Sequence, residues 1–326
     1  MGGRECCISL GPDQHKVKGS MNGPVVECVP NFSEGADARK VGAIVAAMRV
    51  AGVHLLDWSM DAAHNRSIVT IAGDPASVVE AAVRGAGKAA QLIDLTRQQG
   101  VYPRIGAADV IPFVPISGIK LEQCVLLARQ AGQEIWRRSN VPVYFYGAAA
   151  ARPDRASLEE VRRGQFEGLL KEIAKDSSRR PDVGGPGLHP TAGACAVSAR
   201  KFLVAYNIYF DSADVAMVRA IAREIRAASG GLKGVRAMGA LSRGRAQLAM
   251  DITDLEATPL SKVFSTVSAL ALRHKAAPAE GEVIGLLPES AYERDSEWMR
   301  QLIGFDPPTK ILERRLAAPM AWPEGT

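Results

Sequence analysis

The segment VVECVPNF, residues 25–32, decides how this fold is interpreted, because KFLVAYNI at residues 201–208 has the same character. Each is an apolar run that is typical of a β-strand and reaches an asparagine, Asn31 or Asn207, near its end. Outward from each segment, the predicted elements follow in the order β-α-β-β-α-β, which is the ferredoxin-like unit. The sequence therefore predicts an α/β (α+β) fold of two ferredoxin-like βαββαβ subdomains with a ligand groove between them.

Capping and turn residues mark where the elements of the first half begin. Asp37 and Asp74 stand where helix N-caps are expected, and Pro75 suits the first turn of the second helix. Two prolines within residues 110–115 favour a strand at the edge of a sheet or at a bulge. The predicted helices of this half cover residues 37–50, 74–93, 121–138 and 157–175. The predicted strands cover residues 25–32, 53–58, 67–73, 110–115 and 141–146.

A cluster of glycine and proline residues at 176–194 is the best candidate for a domain boundary. It divides the chain into a loose N-terminal extension over 1–23, a first subdomain over 24–180 and a second over 181–326. The second half has strands predicted over 201–208, 235–241, 247–253 and 283–288, and helices over 212–228, 258–275 and 292–303. One alternative stays open, since an ordinary α/β chain can also be divided in this way without any duplication.

Composition excludes several classes of protein. With 326 residues, 47% of them hydrophobic, the chain is long enough to bury a core and accounts for about two domains. A net charge of +5 is too small for a nucleic-acid scaffold and fits a small anionic ligand better. Five cysteines without a CxxC pair favour reduced thiols and a cytoplasmic location. No apolar run reaches the ~20 residues of a membrane helix, and we expect no signal peptide.

Two polar stretches in the first half carry candidate chemistry. The run DAAHNRS, residues 61–67, places a carboxylate, an imidazole, an amide and a guanidinium together, and His64 is its natural proton carrier near neutral pH. The alternative is a solvated loop in which Asn65 holds a turn and Arg66 pairs with Asp61. The run VPNFSEG, residues 29–35, ends a strand where side chains can reach a ligand; alternatively, its polar residues cap the next helix.

Two further stretches contain glycine. In GVYPRIGAAD, residues 100–109, Arg104 is suited to bind a carboxylate with two hydrogen bonds, or else it braces the loop by pairing with Asp109. In GGPGLHPTAG, residues 184–193, glycines let the backbone approach a flat ligand, although a plain linker is the alternative. The spacing of this second stretch does not match a nucleotide-binding GxGxxG or P-loop motif.

Five runs together resemble the formiminotransferase domain of formiminotransferase-cyclodeaminase and the bacterial glutamate formimidoyltransferases. They are VECVPNFSEG, HNRSIVTIAG, YPRIGAADVIPFVPISG, VPVYFYGAAA and ARKFLVAYNIYF. The resemblance covers about residues 24–290. It implies transfer of a formimino group from N-formimidoylglutamate to tetrahydrofolate in histidine degradation, with folate as a substrate bound between two ferredoxin-like subdomains. It also implies a homodimer, small-molecule partners, and neither a metal nor a nucleic-acid or membrane partner.

The resemblance also implies roles for particular residues. The family's Gly-Glu-His-Pro-Arg run falls on residues 100–104, so that its catalytic histidine is Tyr102 here, and a family aspartate falls on Ser59. The implied catalytic residues are Tyr102, His64, Asp61 and Arg104. The implied substrate-binding and folate-binding residues are Asn31, Asn65, Gly184, Gly185, Pro186, Gly187, Leu188, His189, Pro190, Thr191, Ala192, Gly193 and Asn207. Because Tyr102 and Ser59 depart from the family pattern, the expected activity is weakened or altered. The alternatives are a catalytically silent folate-binding paralogue and an enzyme that uses a different donor.

Overall fold

The computed structural model describes residues 23–62, 64–100 and 103–324 and confirms a mixed α/β fold. Among these residues, the first sheet has seven strands: β1 (Val25–Cys28), β2 (Asn31–Phe32), β3 (Val53–Asp61), β4 (Arg66–Gly73), β5 (Ala108–Ser117), β6 (Val143–Gly147) and β7 (Cys195–Ala199). β4 lies between β3 and the pair β1/β2, and β5 lies on the other side of that pair, all antiparallel. β7 and then β6 extend the sheet in parallel. β1 and β2 are parts of one path that Pro30, which has no N–H to donate, interrupts.

Three helices pack on one face of this sheet: α1 (Ala38–Ala47), α2 (Pro75–Leu92) and α3 (Leu121–Ser139). The predicted caps are confirmed, because the Asp37 carboxylate accepts from the backbone of Arg39 and Lys40, and Asp74 accepts from Ser77 N. Two shorter helices, α4 (Leu158–Val161) and α5 (Gln165–Glu172), cover the β6–β7 end of the opposite face. That opposite face carries the polar residues described below.

The second sheet is four-stranded in the described part of the chain. Its strands are β8 (Val204–Phe210), β9 (Val235–Ser242), β10 (Arg245–Ile252) and β11 (Pro278–Ile284). They lie in the order β11-β8-β10-β9, all antiparallel, so that the first strand again lies between the third and the fourth. The helices α6 (Val215–Ile225) and α7 (Leu260–Leu272) contribute to the core of this sheet. Short 3₁₀ turns cover Pro153–Arg155, Ser177–Arg179 and Ala227–Ser229.

The C-terminal segment joins the two halves. It contains α8 (Glu289–Met299), α9 (Pro307–Lys310) and α10 (Leu312–Ala317). Leu286 and Leu312 pack with Val25, Leu56 and Ala72 of the first sheet in one buried cluster. Beyond α10, the backbone N–H of Met320 donates to Leu55 O at 2.8 Å, so the chain at Met320 lies beside β3.

The sequence places the domain boundary too early. The prediction ends the first subdomain at residue 180, but the chain then adds β7 to the first sheet, between β5 and β6. The change of sheet falls between Ala199 and Val204. The reason is that residues 184–193 have the composition of a linker, although they lead into a parallel strand of the same sheet.

Three further expectations have structural outcomes. β5 is an interior strand whose pairing with β1 shifts register next to Pro115, so of the two alternatives the bulge is observed and the edge is not. Cys28, Cys124 and Cys195 are unpaired and buried, as reduced thiols would be. No helix among the described residues is long and apolar enough to cross a membrane.

Candidate functional site

Four charged or amide side chains meet at the β2 end of the first sheet. Arg66, the first residue of β4, donates through Nε to Asn31 Oδ1 at 3.0 Å, and its Nη2 also contacts that oxygen. Asn31 in turn donates to Val29 O at 2.8 Å, which fixes the direction of its amide. Asp109 is buried and pairs with Arg162 of the segment after α4, while its second oxygen accepts from Ile105 N at 2.8 Å. Arg66 Nη1 lies 3.9 Å from Asp109 Oδ2, so the four side chains form one cluster with two cations and one carboxylate.

The turn between β3 and β4 brings a carboxylate and an imidazole together. His64 Nδ1 lies 2.6 Å from Asp61 Oδ2, and the backbone N–H of His64 donates to Asp61 Oδ1 at 3.0 Å. Because a carboxylate only accepts, the Nδ1 atom of a neutral His64 carries the proton and Nε2 is the basic nitrogen. Arg66, at the end of this loop, contacts Asn31 and also lies 3.9 Å from Asp109 Oδ2 through Nη1. An Asp–His pair is one of the arrangements used in general acid–base catalysis.

Asn65 and Gly35 determine where this turn lies. Asn65 has φ +48°, and its side chain accepts from Gly35 N at 2.9 Å and donates to Gln99 O at 2.7 Å. A Cβ on Gly35 would overlap the backbone of Asp61 and Arg66, so only glycine permits this approach. Asn65 therefore holds the turn, as the alternative interpretation predicts, and its amide is engaged within the protein.

The residues after β2 divide between the site and the next helix. The Ser33 hydroxyl donates to Gly106 O at 2.7 Å and so joins β2 to the segment before β5. Glu34 Oε1 accepts from the backbone N–H groups of Ala36 and Asp37 at 2.9 and 3.0 Å. Glu34 is thus a turn residue at the start of α1, in agreement with the helix-capping alternative.

Arg104 is buried, with 7% of its surface exposed, and its guanidinium is fully engaged. Nε donates to Gln98 Oε1 at 2.6 Å and Nη2 to Gln98 O at 3.0 Å. On the other side, Nη2 and Nη1 donate to the two oxygens of Glu167 at 2.8 and 3.2 Å. The Arg104–Asp109 brace is wrong, because Asp109 pairs with Arg162. The carboxylate that Arg104 contacts in this structure is that of Glu167, and a substrate carboxylate at Arg104 stays a prediction.

The glycine-rich stretch 184–193 is neither a linker nor an open loop throughout. Residues 184–187 are exposed, whereas Ala192 and Gly193 are buried beside the segment that follows Arg104. Ala107 N donates to Ala192 O and Ala194 N to Ile105 O, both at 2.9 Å. The stretch therefore reaches the cluster around Arg104 within the first sheet, and not across a boundary between subdomains.

His189 holds the turn of this stretch. Its Nδ1 accepts from Ala192 N at 3.0 Å and from Thr191 N at 3.3 Å. Burial lowers the pKa of His189 below its ordinary value of 6.5, which favours the neutral ring that these bonds require. His189 thus has a positioning role for the backbone around Thr191.

Two predicted residues lie elsewhere, and one lies outside the described residues. Asn207 is on β8 of the second sheet, opposite Ala249 and Glu282, and Ser59 is on β3 opposite Ile68. Asn207 therefore belongs to the second sheet, whereas the Asp61–His64 turn belongs to the first. Tyr102 falls in the gap at 101–102.

Sequence reasoning missed Glu27, Arg162 and Glu167. Glu27 is 3% exposed in the middle of β1, and burial raises its pKa from 4.5 to about 7, with Arg200 opposing the rise. Alternation along β1 could have identified Glu27, since it lies between the buried Val26 and Cys28 on the opposite face. Arg162 and Glu167 carried no such signal, because charged residues on short helices are usually solvated.

Comparison with known proteins shows which family the chain belongs to. The family model described as "Formiminotransferase domain, N-terminal subdomain" matches residues 25–200, and "Formiminotransferase domain" matches residues 205–312. The chain belongs to the formiminotransferase family. The two matched ranges meet where the chain passes from the first sheet to the second, which agrees with the corrected boundary. No group of histidine, cysteine or acidic residues in the described part of the chain could hold a metal ion.

Curated relatives of this chain carry two related names. It is 40% identical over 295 residues to the glutamate formimidoyltransferase of Streptococcus pyogenes, which covers 90% of this chain and 98% of that protein. It is 40% identical over 296 residues to the glutamate formimidoyltransferase of Thermoplasma acidophilum, with 90% and 97% covered. It is 38% identical over 276 residues to the mouse formimidoyltransferase-cyclodeaminase, with 82% of this chain and 51% of that protein covered. The resemblance stated from the sequence is confirmed.

Proposed function

We propose that this chain transfers the formimino group of N-formimidoyl-L-glutamate to N5 of tetrahydrofolate. The observation that carries the proposal is the Asp61–His64 pair, which lies at a small pocket that Arg66 and Arg104 also line. Two relatives, one bacterial and one archaeal, match over nearly their whole length. Their names support the same activity here. Tetrahydrofolate is a substrate in this proposal, and the reaction uses no metal.

The reaction requires one proton to move between two nitrogens. The N5 amine attacks the amidine carbon, a new C–N bond forms, and the C–N bond to the glutamate nitrogen then breaks. N5 loses a proton and the departing nitrogen gains one. With Nδ1 directed to Asp61, His64 accepts the first proton at Nε2 and returns it to the leaving nitrogen, so a single imidazole acts as base and then as acid.

The remaining residues position the two substrates. Arg104 binds a carboxylate of the donor, since a guanidinium fork matches carboxylate geometry. Asn31 and Asn65 act through Arg66 and the 61–66 turn that they hold. Residues 184–193 contact the folate, with Asn207 of the second sheet on the facing side. The dimer that the resemblance implies and the cytoplasmic location that the cysteines favour stay predictions.

The test is formation of 5-formiminotetrahydrofolate by the purified protein with both substrates. His64→Gln should lower kcat about 10²–10⁴-fold, the usual contribution of a general acid–base group. Asp61→Asn should lower kcat less and shift the pH profile, because it removes the group that orients the imidazole. His274→Gln, at an exposed histidine of the second half, is the matched control and should retain full activity. Wild-type turnover that survives His64→Gln unchanged would contradict the proposed role.

Tyr102 favours a second candidate, a protein that binds folate without turnover. A tyrosine has a pKa of ~10 against ~6.5 for histidine, so it is a poor base at neutral pH, and we propose that Tyr102 orients a ligand. Tyr102→His should then raise transferase activity, whereas Tyr102→Phe should leave it nearly unchanged. Tight calorimetric binding of tetrahydrofolate without any product formation would favour the binding protein. Loss of a robust activity in Tyr102→Phe would show that the hydroxyl takes part in the reaction.

A further inference from the structure

The carboxylate of Glu167 occupies the fork of a buried arginine at the proposed site. Both of its oxygens lie within 3.2 Å of Arg104 Nη1 and Nη2, the geometry that a substrate carboxylate would adopt. We infer that Glu167 is a built-in competitor: it fills the carboxylate site of Arg104 in the absence of substrate and leaves when the donor's carboxylate binds. This inference rests on the proposed function, because it takes Arg104 as the residue that binds the donor.

The fork is held in place without Glu167. Gln98 binds Nε and Nη2 of Arg104 through its side chain and its backbone carbonyl, at 2.6 and 3.0 Å. The backbone carbonyl of Arg104 accepts from Phe166 N at 2.9 Å. The guanidinium therefore stays oriented when its acidic partner leaves, which is the pre-organisation that a binding site requires.

The burial of the two partners is unequal. The Arg104 side chain is 8% exposed, whereas that of Glu167 is 57% exposed. A buried guanidinium needs an anion at all times, but a half-solvated carboxylate leaves at little cost. The nearby Asp109–Arg162 pair differs, because its side chains are 2% and 9% exposed, and it is a permanent structural contact. Replacing one carboxylate by another keeps the charge of Arg104 balanced throughout.

Glu167 lies near the start of a short helix. α5 is an eight-residue helix that begins after Gly164, and Gln165 at its start has φ +57°. Hydrogen bonds from Arg104 lower the pKa of Glu167, so it is ionised and competes throughout the neutral range. The ligand that displaces Glu167 is an amidine that also carries a carboxylate. An amidine without a carboxylate lacks the group that Arg104 binds.

The experiment compares wild type with Glu167→Gln, which removes the charge and keeps the shape. Because the apparent KM scales inversely with the fraction of open sites, the KM for N-formimidoyl-L-glutamate should fall about three- to tenfold. kcat and the KM for tetrahydrofolate should stay unchanged. Glu134→Gln removes a partly exposed carboxylate that pairs with Arg137 and Arg138 on α3, and this matched control should alter none of these constants. An unchanged or higher donor KM in Glu167→Gln would show that Glu167 supports Arg104 and would overturn the inference.

A binding measurement separates this inference from the proposed function. Calorimetry with L-glutamate and with N-formimidoyl-L-glutamate requires no turnover, and both should bind Glu167→Gln more tightly than wild type by the same three- to tenfold factor. Glu167→Ala gives a second variant, and circular dichroism checks that each is folded. If wild type has no transferase activity but this difference appears, the proposed function fails and the competitor role stands. Equal affinities, or binding to neither protein, overturn the inference even where the transferase activity is present.

Discussion

The buried carboxyl of Glu27 should make the stability of this protein fall as pH rises. In the folded chain, burial raises its pKa from 4.5 to about 7. Between these two values the folded state holds a proton that the unfolded state has released, so unfolding releases protons and is favoured by higher pH. This loss of stability is absent below pH 4.5 and complete above pH 7. Each pH unit in this range lowers the free energy of unfolding by ~1.4 kcal/mol, so the total fall should be about 3 kcal/mol.

Glu27→Gln removes this titration, because the amide is neutral at every pH. The unfolding free energy of the variant minus that of wild type should be roughly 3 kcal/mol larger at pH 8 than at pH 5. This holds whatever the difference is at pH 5. Urea unfolding followed by far-ultraviolet circular dichroism, at both pH values, measures the difference. His189 and the other titrating groups contribute equally to both proteins and cancel.

Glu134→Gln is the matched control for this measurement. Hydrogen bonds from Arg137 and Arg138 lower the pKa of Glu134 to about 2, so it is ionised in both the folded and the unfolded chain from pH 5 to 8. Its effect on stability should therefore not change over this range. If Glu27→Gln also shifts stability by the same amount at both pH values, Glu27 is not a neutral acid in the folded protein, and the reasoning from its burial is wrong.

Three other substitutions test the scaffold. Asp109→Asn should cost about 3 kcal/mol or more in urea unfolding, because the buried charge of Arg162 loses this counter-ion; an effect under ~1 kcal/mol would contradict a permanent pair. Gly35→Ala should lower transferase activity at least about tenfold, since a Cβ overlaps the backbone that carries the Asp61–His64 pair; normal activity would show that the turn relaxes without consequence. Gly42→Ala, within α1 and with open space around it, should instead stabilise the protein by about 0.5–1 kcal/mol and leave activity intact.

Local patterns in the sequence were sufficient for most elements and for the family. The caps at Asp37 and Asp74 appear where they were predicted, because an N-cap depends on bonds to residues two or three positions away. The Asp61–His64 contact is of the same kind, since the two residues are three positions apart in one turn. Motifs such as VECVPNFSEG identified the formiminotransferase family for the same reason, since they are contiguous in the chain.

Tertiary structure decided the contacts that join distant segments. Asp109 and Arg162 are 53 positions apart, and Arg104 and Glu167 are 63 apart, so no local period connects them. β7 joins the first sheet through parallel pairing, which depends on the surfaces that meet and leaves no mark on the residues before it. The raised pKa of Glu27 has the same origin, because a glutamate within a strand is acidic or neutral according to what covers it. The sequence alone determined which groups are available, and packing decided which of them are charged, paired or open to a substrate.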